Sequence, residues 1–343
     1  MSSSLTSFAY RAQHLSVMVP TTLFNATMRY LAHGQGGPMP APRAIAHLQQ
    51  RYRELLEADL ANVEEGLYPR RLLFSLPLGA YARRLPRMLA DLPRVMRRRS
   101  SRAWRDLPSE VDLSTYPPYF RRTYHWQSDG YLSRRSASLY DLEVEVLFGG
   151  AADVMRRQAL APISRWLRDR EPGGAAPRLL DVACGTGRFL SQVATAHPSL
   201  KLYGLDLSPF YVQEARRTLA DVTDVSLVAD NAEAMPFRDA SFDLVSCIYL
   251  FHELPRNARR RVLGEIARVL APGGRVVIED SAQLVESPEL AFFLERFPEQ
   301  FHEPYYADYL KDDLAMALAA AGLEVESVTP AFVAKVVVAR KPG

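Results

Sequence analysis

Apolar residues recur along this chain with two different periods, and the change falls near its middle. From Arg43 to about Leu67 they return at helical spacing (Leu48, Tyr52, Leu55, Leu56, Leu60), which predicts an amphipathic helix. Residues 83–105 carry a second apolar face, formed by Leu85, Met88, Leu89, Leu92, Val95 and Met96, and predict a helix interrupted by proline. Helical patterns also cover Leu139–Leu147 and Ala152–Leu167. Beyond residue 177, short apolar runs alternate with helical patterns, as βαβ units and a parallel sheet require. Strands are predicted near 178–183, 201–205, 225–229, 243–249, 275–280, 323–329 and 332–339. Helices are predicted over 187–197, 209–220, 257–270, 287–298 and 308–321. Gly/Pro-rich breaks at 34–43 and 171–177 punctuate the pattern. The expectation is an α/β fold: a seven-stranded sheet within residues 161–343, preceded by a mainly helical extension over residues 1–160.

Length agrees with that division, since 343 residues exceed one ordinary domain. A composition that is 48% hydrophobic and 24% charged excludes collagen-like, disordered and disulfide-scaffold classes. The net charge of +3 is mild but unevenly spread: residues 83–105 hold nine arginines against one acid, Asp91. Such a segment either lies on an anionic membrane surface or packs its apolar face on residues 43–67 and leaves a solvated arginine face. The two cysteines, Cys184 and Cys247, sit in or beside apolar strands and read as small filler. They cannot make a zinc site, and no metal is assigned. The N-terminus lacks a signal-like apolar stretch, and no run reaches about 18 apolar residues. A cytoplasmic protein, in peripheral contact with a membrane at most, is expected.

The chemistry concentrates after residue 177. In RLLDVACGTGRFL (Arg178–Leu190) an apolar strand ends near Asp181 and a glycine loop opens a helix. Glycines at 185 and 187 permit a tight turn and close approach of backbone to a ligand. A dinucleotide fingerprint would place a third glycine where Leu190 stands. LYGLDLSP then puts Asp206 at the end of the second strand, where a carboxylate can accept from ribose hydroxyls; the competing role is a helix N-cap. VADNAEAMPFRDASFDLVSC places Asp230 after the third strand, and EIARVLAPGGRVVIED closes the series.

This ordered series resembles the class I S-adenosylmethionine-dependent methyltransferases, in particular their small-molecule and quinone-biosynthesis branch, over about half the chain. The resemblance implies a Rossmann-like methyltransferase sheet and S-adenosyl-L-methionine as cofactor. It implies that Asp181, Ala183, Gly185 and Gly187 line the methionine and sulfonium end. Asp206 and Leu207 would hold the ribose, Asp230, Asn231 and Ala232 the adenine, and Tyr249 would close the pocket.

Methyl transfer needs chiefly an aligned nucleophile, and a general base only for a protonated oxygen or an activated carbon. His252 and Glu253, after the fourth strand, are candidates for that role, against a packing or capping role for the histidine. Two aromatic segments add His125 and His302 as candidates, with Tyr124, Trp126, Tyr131, Glu303, Tyr305 and Tyr306 as lid or pocket lining. Tyr116-Pro117-Pro118-Tyr119 lies upstream of the whole domain and is no adenine-amino methylation motif. The expected reaction is methyl transfer to a small lipophilic or aromatic acceptor. The alternatives are an RNA methyltransferase using the arginine segment, or a methyltransferase-like binding subunit without activity. Absence of an RNA-binding module disfavours a nucleic-acid partner.

Overall fold

The computed structural model describes residues 3–33, 39–170 and 175–343, so both glycine-rich breaks lie partly outside the described residues. Five helices come first: α1 (Ser3–His33), α2 (Pro42–Glu64), α3 (Leu78–Ser101), α4 (Arg134–Leu147) and α5 (Ala152–Arg168). Strands and helices then alternate: β1 (Arg178–Val182), α6 (Arg188–Ala196), β2 (Lys201–Asp206), α7 (Pro209–Thr218), β3 (Val225–Ala229), β4 (Phe242–Ile248), α8 (Arg256–Val269) and β5 (Leu270–Ser281). Three helices, α9 (Ala291–Gln300), α10 (Tyr306–Tyr309) and α11 (Leu314–Ala320), precede the hairpin of β6 (Glu324–Ala331) and β7 (Ala334–Arg340).

The sheet order is β3-β2-β1-β4-β5-β7-β6, with β7 antiparallel to both of its neighbours and all other pairs parallel. Central strands of such a sheet are buried on both faces, which explains their unbroken apolar runs. Successive side chains of β1 divide between two cores. Leu179 joins Val154, Met155 and Ile163 of α5 and Leu55 of α2, whereas Leu180 joins Val262 and Ile266 of α8 and Leu318 of α11. The helical extension is therefore continuous with one face of the sheet.

Three predicted elements differ. Residues 83–101 of the arginine segment belong to one helix that begins at Leu78, continues through Pro86 and Pro93 and ends at Ser101, with Arg102 as its left-handed C-cap. It packs Tyr81 and Met88 on Leu139 and Leu142 of α4, not on residues 43–67. The helix expected over 308–321 is two, because Asp313 leaves helical geometry and its Oδ1 caps the N–H groups of Ala315 and Met316. The fifth strand starts earlier than its apolar run because Gly273 and Gly274 bond Lys341. No helix among the described residues is long and apolar enough to cross a membrane.

Candidate active site

The site lies at the carboxyl ends of β1, β2 and β4, where parallel α/β sheets bind ligands. Ala183, Gly185 and Gly187 all have positive φ (58°, 53° and 75°), so the loop after β1 coils tightly before α6. A side chain at Gly187 would meet Ala215 and Leu219 of α7 at 3.0–3.2 Å, so glycine there lets two helices approach. A Cβ at Gly185 would meet nothing within 4 Å: this backbone borders the open cleft.

Asp206 accepts from the Gly185 N–H (2.9 Å) and the Ser208 N–H (2.8 Å). Ser208, not Asp206, is the N-cap of α7, which removes the competing capping role from Asp206. Burial pushes the Asp206 carboxyl up to about 6. Asp181 is buried at the end of β1 and accepts from Ser246 Oγ at 2.7 Å; burial raises it to about 7. Leu207, Asp230, Asn231, Ala232 and Tyr249 also border the cleft. Asp230 accepts from the Asn231 N–H, and Asn231 Oδ1 from the Glu233 N–H, so side chains fix this turn. Tyr249 has a positive φ (58°) and stacks on Phe148 at 6.0 Å. Nine of the ten predicted cofactor positions thus border one cleft, and Gly187 instead packs against Ala215 and Leu219.

The four acid–base candidates separate. Glu253 lines the cleft and accepts from Tyr131 Oη. Burial, with Glu303 nearby, raises its carboxyl to about 7. His252 is turned away: its Nδ1 is 2.7 Å from Asp280 Oδ1, and Asp280 Oδ2 accepts the N–H groups of Leu250 and Phe251. Burial disfavours its charge, but the Asp280 carboxylate outweighs this and lifts the imidazole to about 9. His252 with Asp280 is a clamp that shapes the turn after β4. His125 Nε2 lies against Glu303 Oε1, and His302 stacks on Trp104 at 5.8 Å; neither borders the cleft.

The rest of the wall comes from residues that sequence reasoning passed over or named only as lid candidates. Tyr119, Phe120, Tyr124, Tyr131, Tyr140 and Tyr211 form an aromatic side. Tyr124 Oη bonds the carbonyl oxygens of Tyr119 and Glu253, and Tyr131 O accepts from Ser208 Oγ at 2.5 Å. The aromatic segment is thereby pinned to the sheet edge. Arg156 of α5 brings a guanidinium to the cleft, held 3.0 Å from Asp153, which Arg188 also binds. Cys184 and Cys247 are buried and unpaired, with burial raising both thiols, as small filler would be.

A seven-stranded sheet with one antiparallel strand, a left-handed glycine loop and an acidic residue ending β2 define a nucleotide-type ligand site of the class I methyltransferase architecture. The comparisons agree: residues 179–274 match the family model described as "Methyltransferase domain". The chain carries a class I S-adenosylmethionine-dependent methyltransferase domain. It is 38% identical over 161 residues to 27-O-demethylrifamycin SV methyltransferase of Amycolatopsis mediterranei, covering 46% of this chain and 57% of that one. It is 34% identical over 143 residues to demethylmenaquinone methyltransferase of Thermus thermophilus (41% and 60%). It is also 34% identical over 125 residues to probable tRNA methyltransferase 9B of Mus musculus (36% and 25%). The chain therefore spans about a quarter to three fifths of the length of these relatives.

Proposed function

We propose that the chain transfers the methyl group of S-adenosylmethionine to a small, lipophilic or aromatic acceptor. The observation that carries this reading is the two-ended cleft. One end is glycine loop and carboxylates; the other is a tyrosine wall with a single acidic group, Glu253. The cofactor fits the first end on the chemistry of its donors. Asp206 offers a carboxylate to vicinal hydroxyls, the Gly185 backbone is open to close approach, and the Asp230–Ala232 turn presents backbone to an adenine edge. Arg156 and Arg188 both border the cleft, and in this reading Arg156 takes the cofactor's carboxylate.

The bound cofactor supplies an activated methyl group on a sulfonium. The chain's own residues contribute position: the tyrosine wall excludes water and holds a flat or apolar acceptor, and Tyr131 with Glu253 gives it one polar handle. The relatives named for rifamycin and menaquinone precursors support a small-molecule acceptor, and the tRNA-named relative keeps RNA as the rival. Labelled S-adenosylmethionine incubated with the protein and a fractionated host extract separates them. Label in small organic-soluble products is expected. Label in RNA would replace this reading with the rival, and cofactor binding without labelled product would favour a binding subunit.

Peripheral membrane contact is a second part of the proposal. Leu85 and Leu89 of α3 are 41% and 44% exposed, beside the exposed arginines Arg83 and Arg87. A lipophilic acceptor would reach the protein by that route.

A further inference from the structure

We infer that His125, Glu253 and Glu303 form a binding site for one divalent transition-metal ion at the acceptor end of the cleft. The three residues arrive on separate segments: the turn Tyr124–Trp126, the turn after β4, and the connection between α9 and α10. One donor atom from each, an imidazole nitrogen and two carboxylate oxygens, lies within 4.8 Å of the other two. An ion at about 2.0–2.2 Å from each ligand holds such atoms about 3–4 Å apart, so admitting one opens the direct His125–Glu303 contact by a modest adjustment.

Glu303 is the independent observation. Its side chain is fully buried, Oε1 faces His125, and Oε2 has no hydrogen-bond donor. A buried carboxylate is stable only when paired, coordinated or neutralised. The charged groups acting most on Glu253 are Glu303, His252 and His125, with no arginine or lysine among them. His252 is engaged by Asp280, so two carboxylates share one imidazole, His125, which pairs with Glu303 Oε1 alone. One nitrogen and two carboxylate ligands suit Mn²⁺, Fe²⁺ or Zn²⁺ and leave coordination positions open. The sequence assigns no metal because three ligands from distant segments have no motif spacing to read.

The consequence for the substrate rests on the methyl-transfer reading. Of the three ligands Glu253, with its partner Tyr131, borders the cleft, while His125 and Glu303 lie behind it, so an open position on the Glu253 side takes an oxygen donor from the acceptor. The acceptor class is then a phenol or hydroxyl compound able to ligate a metal.

The test uses the full chain stripped of metal by chelation and titrated with Mn²⁺, with free ion followed by electron paramagnetic resonance. About one saturable site per chain is expected. His125→Ala and Glu303→Gln should each weaken it by more than about tenfold, with S-adenosylmethionine affinity in the same samples within about twofold of the parent. Absence of saturable Mn²⁺ binding by the unaltered protein overturns the proposal whatever the variants do. Undiminished binding by folded Glu303→Gln also overturns it and leaves a proton-sharing cluster. Labelled methyl transfer without Mn²⁺ binding would sink the metal site alone. Mn²⁺ binding without methyl transfer to any fraction would sink the reaction alone.

Discussion

Asp59 and Asp153 in the helical layer and Asp181 and Asp206 at the sheet edge are all buried or half-buried carboxylates, and the two pairs are treated in opposite ways. Asp59 of α2 is fully buried, and Arg157 of α5 bonds it at 2.7 Å through Nη2 and 2.9 Å through Nε. Tyr68 Oη (2.7 Å) and Tyr10 Oη complete its shell. Asp153 is likewise held by Arg188 and Arg156. At the sheet edge, Asp181 receives one hydroxyl and Asp206 two backbone N–H groups, and neither meets a cation within hydrogen-bond distance. Paired charges close a structure, whereas unneutralised ones are held ready for a ligand. The raised carboxyls of Asp181 and Asp206 record that difference.

The largest effect should come from breaking a closed pair. Arg157→Ala leaves Asp59 buried with only tyrosine hydroxyls, a situation that costs about 3–5 kcal/mol. Chemical denaturation should show that loss. A change below about 1 kcal/mol would mean that the pair is not the strut between α2 and α5. Cofactor affinity of the folded fraction should change little, since Arg157 does not border the cleft.

Opening the ready carboxylate should do the reverse. Asp206→Ala is expected to weaken S-adenosylmethionine binding by about 1–3 kcal/mol while costing the fold less than Arg157→Ala does, since it removes only the acceptor of the Gly185 and Ser208 N–H groups. Calorimetry giving parental affinity for the folded variant would remove Asp206 from the ribose role.

The fold and the cofactor end were legible in sequence because their determinants are local. The residues that border the cleft follow closely on strand ends, so the positions of Asp181, Gly185, Asp206 and Asp230 could be found by counting from apolar runs. The clamp on His252 was not legible. Asp280 reaches it only because β4 and β5 are neighbours in the sheet, with Ile248 opposite Glu279. Arg156 sits in a helix whose periodicity announces burial and nothing more, yet it reaches the cleft because the start of α5 packs there, with Met155 Sδ 3.3 Å from Tyr249 Oη. Charge inside α3 misled for a related reason: Asp91 and Arg98 read as surface groups, but both are buried, bonding Ser128 from two sides.

A pH series sharpens the comparison further. Burial raises the Asp206 carboxyl to about 6, so the group is ionised above that pH and protonated below it. Ribose hydroxyls donate to the ionised form. Cofactor affinity should therefore hold between pH 7 and 8, then fall as pH drops through about 6, approaching tenfold per unit. Asp206→Asn should flatten that dependence. A parental slope in Asp206→Asn would assign the titration to another group.

The smallest expected effect concerns α3, where one element belongs to both regimes. Its inner side is closed: Met88 packs on α4, and Arg98 bonds Asp106, Ser128 and the Trp126 carbonyl. Its outer side exposes Leu85 and Leu89 among arginines. Each basic side chain near an anionic bilayer contributes about 1 kcal/mol, so a few unpaired ones give measurable binding. Flotation with phosphatidylserine vesicles at low salt should carry part of the protein upward, and added salt or neutral lipid should release it. Leu85→Ser with Leu89→Ser removes the apolar insertion, so retention should drop modestly while stability stays within about 0.5 kcal/mol, as for exposed sites. Protein that remains at the bottom of the gradient at low salt on strongly anionic vesicles would show that the outer arginines serve solvent or another partner. The acceptor would then have to enter the tyrosine-lined cleft from solution.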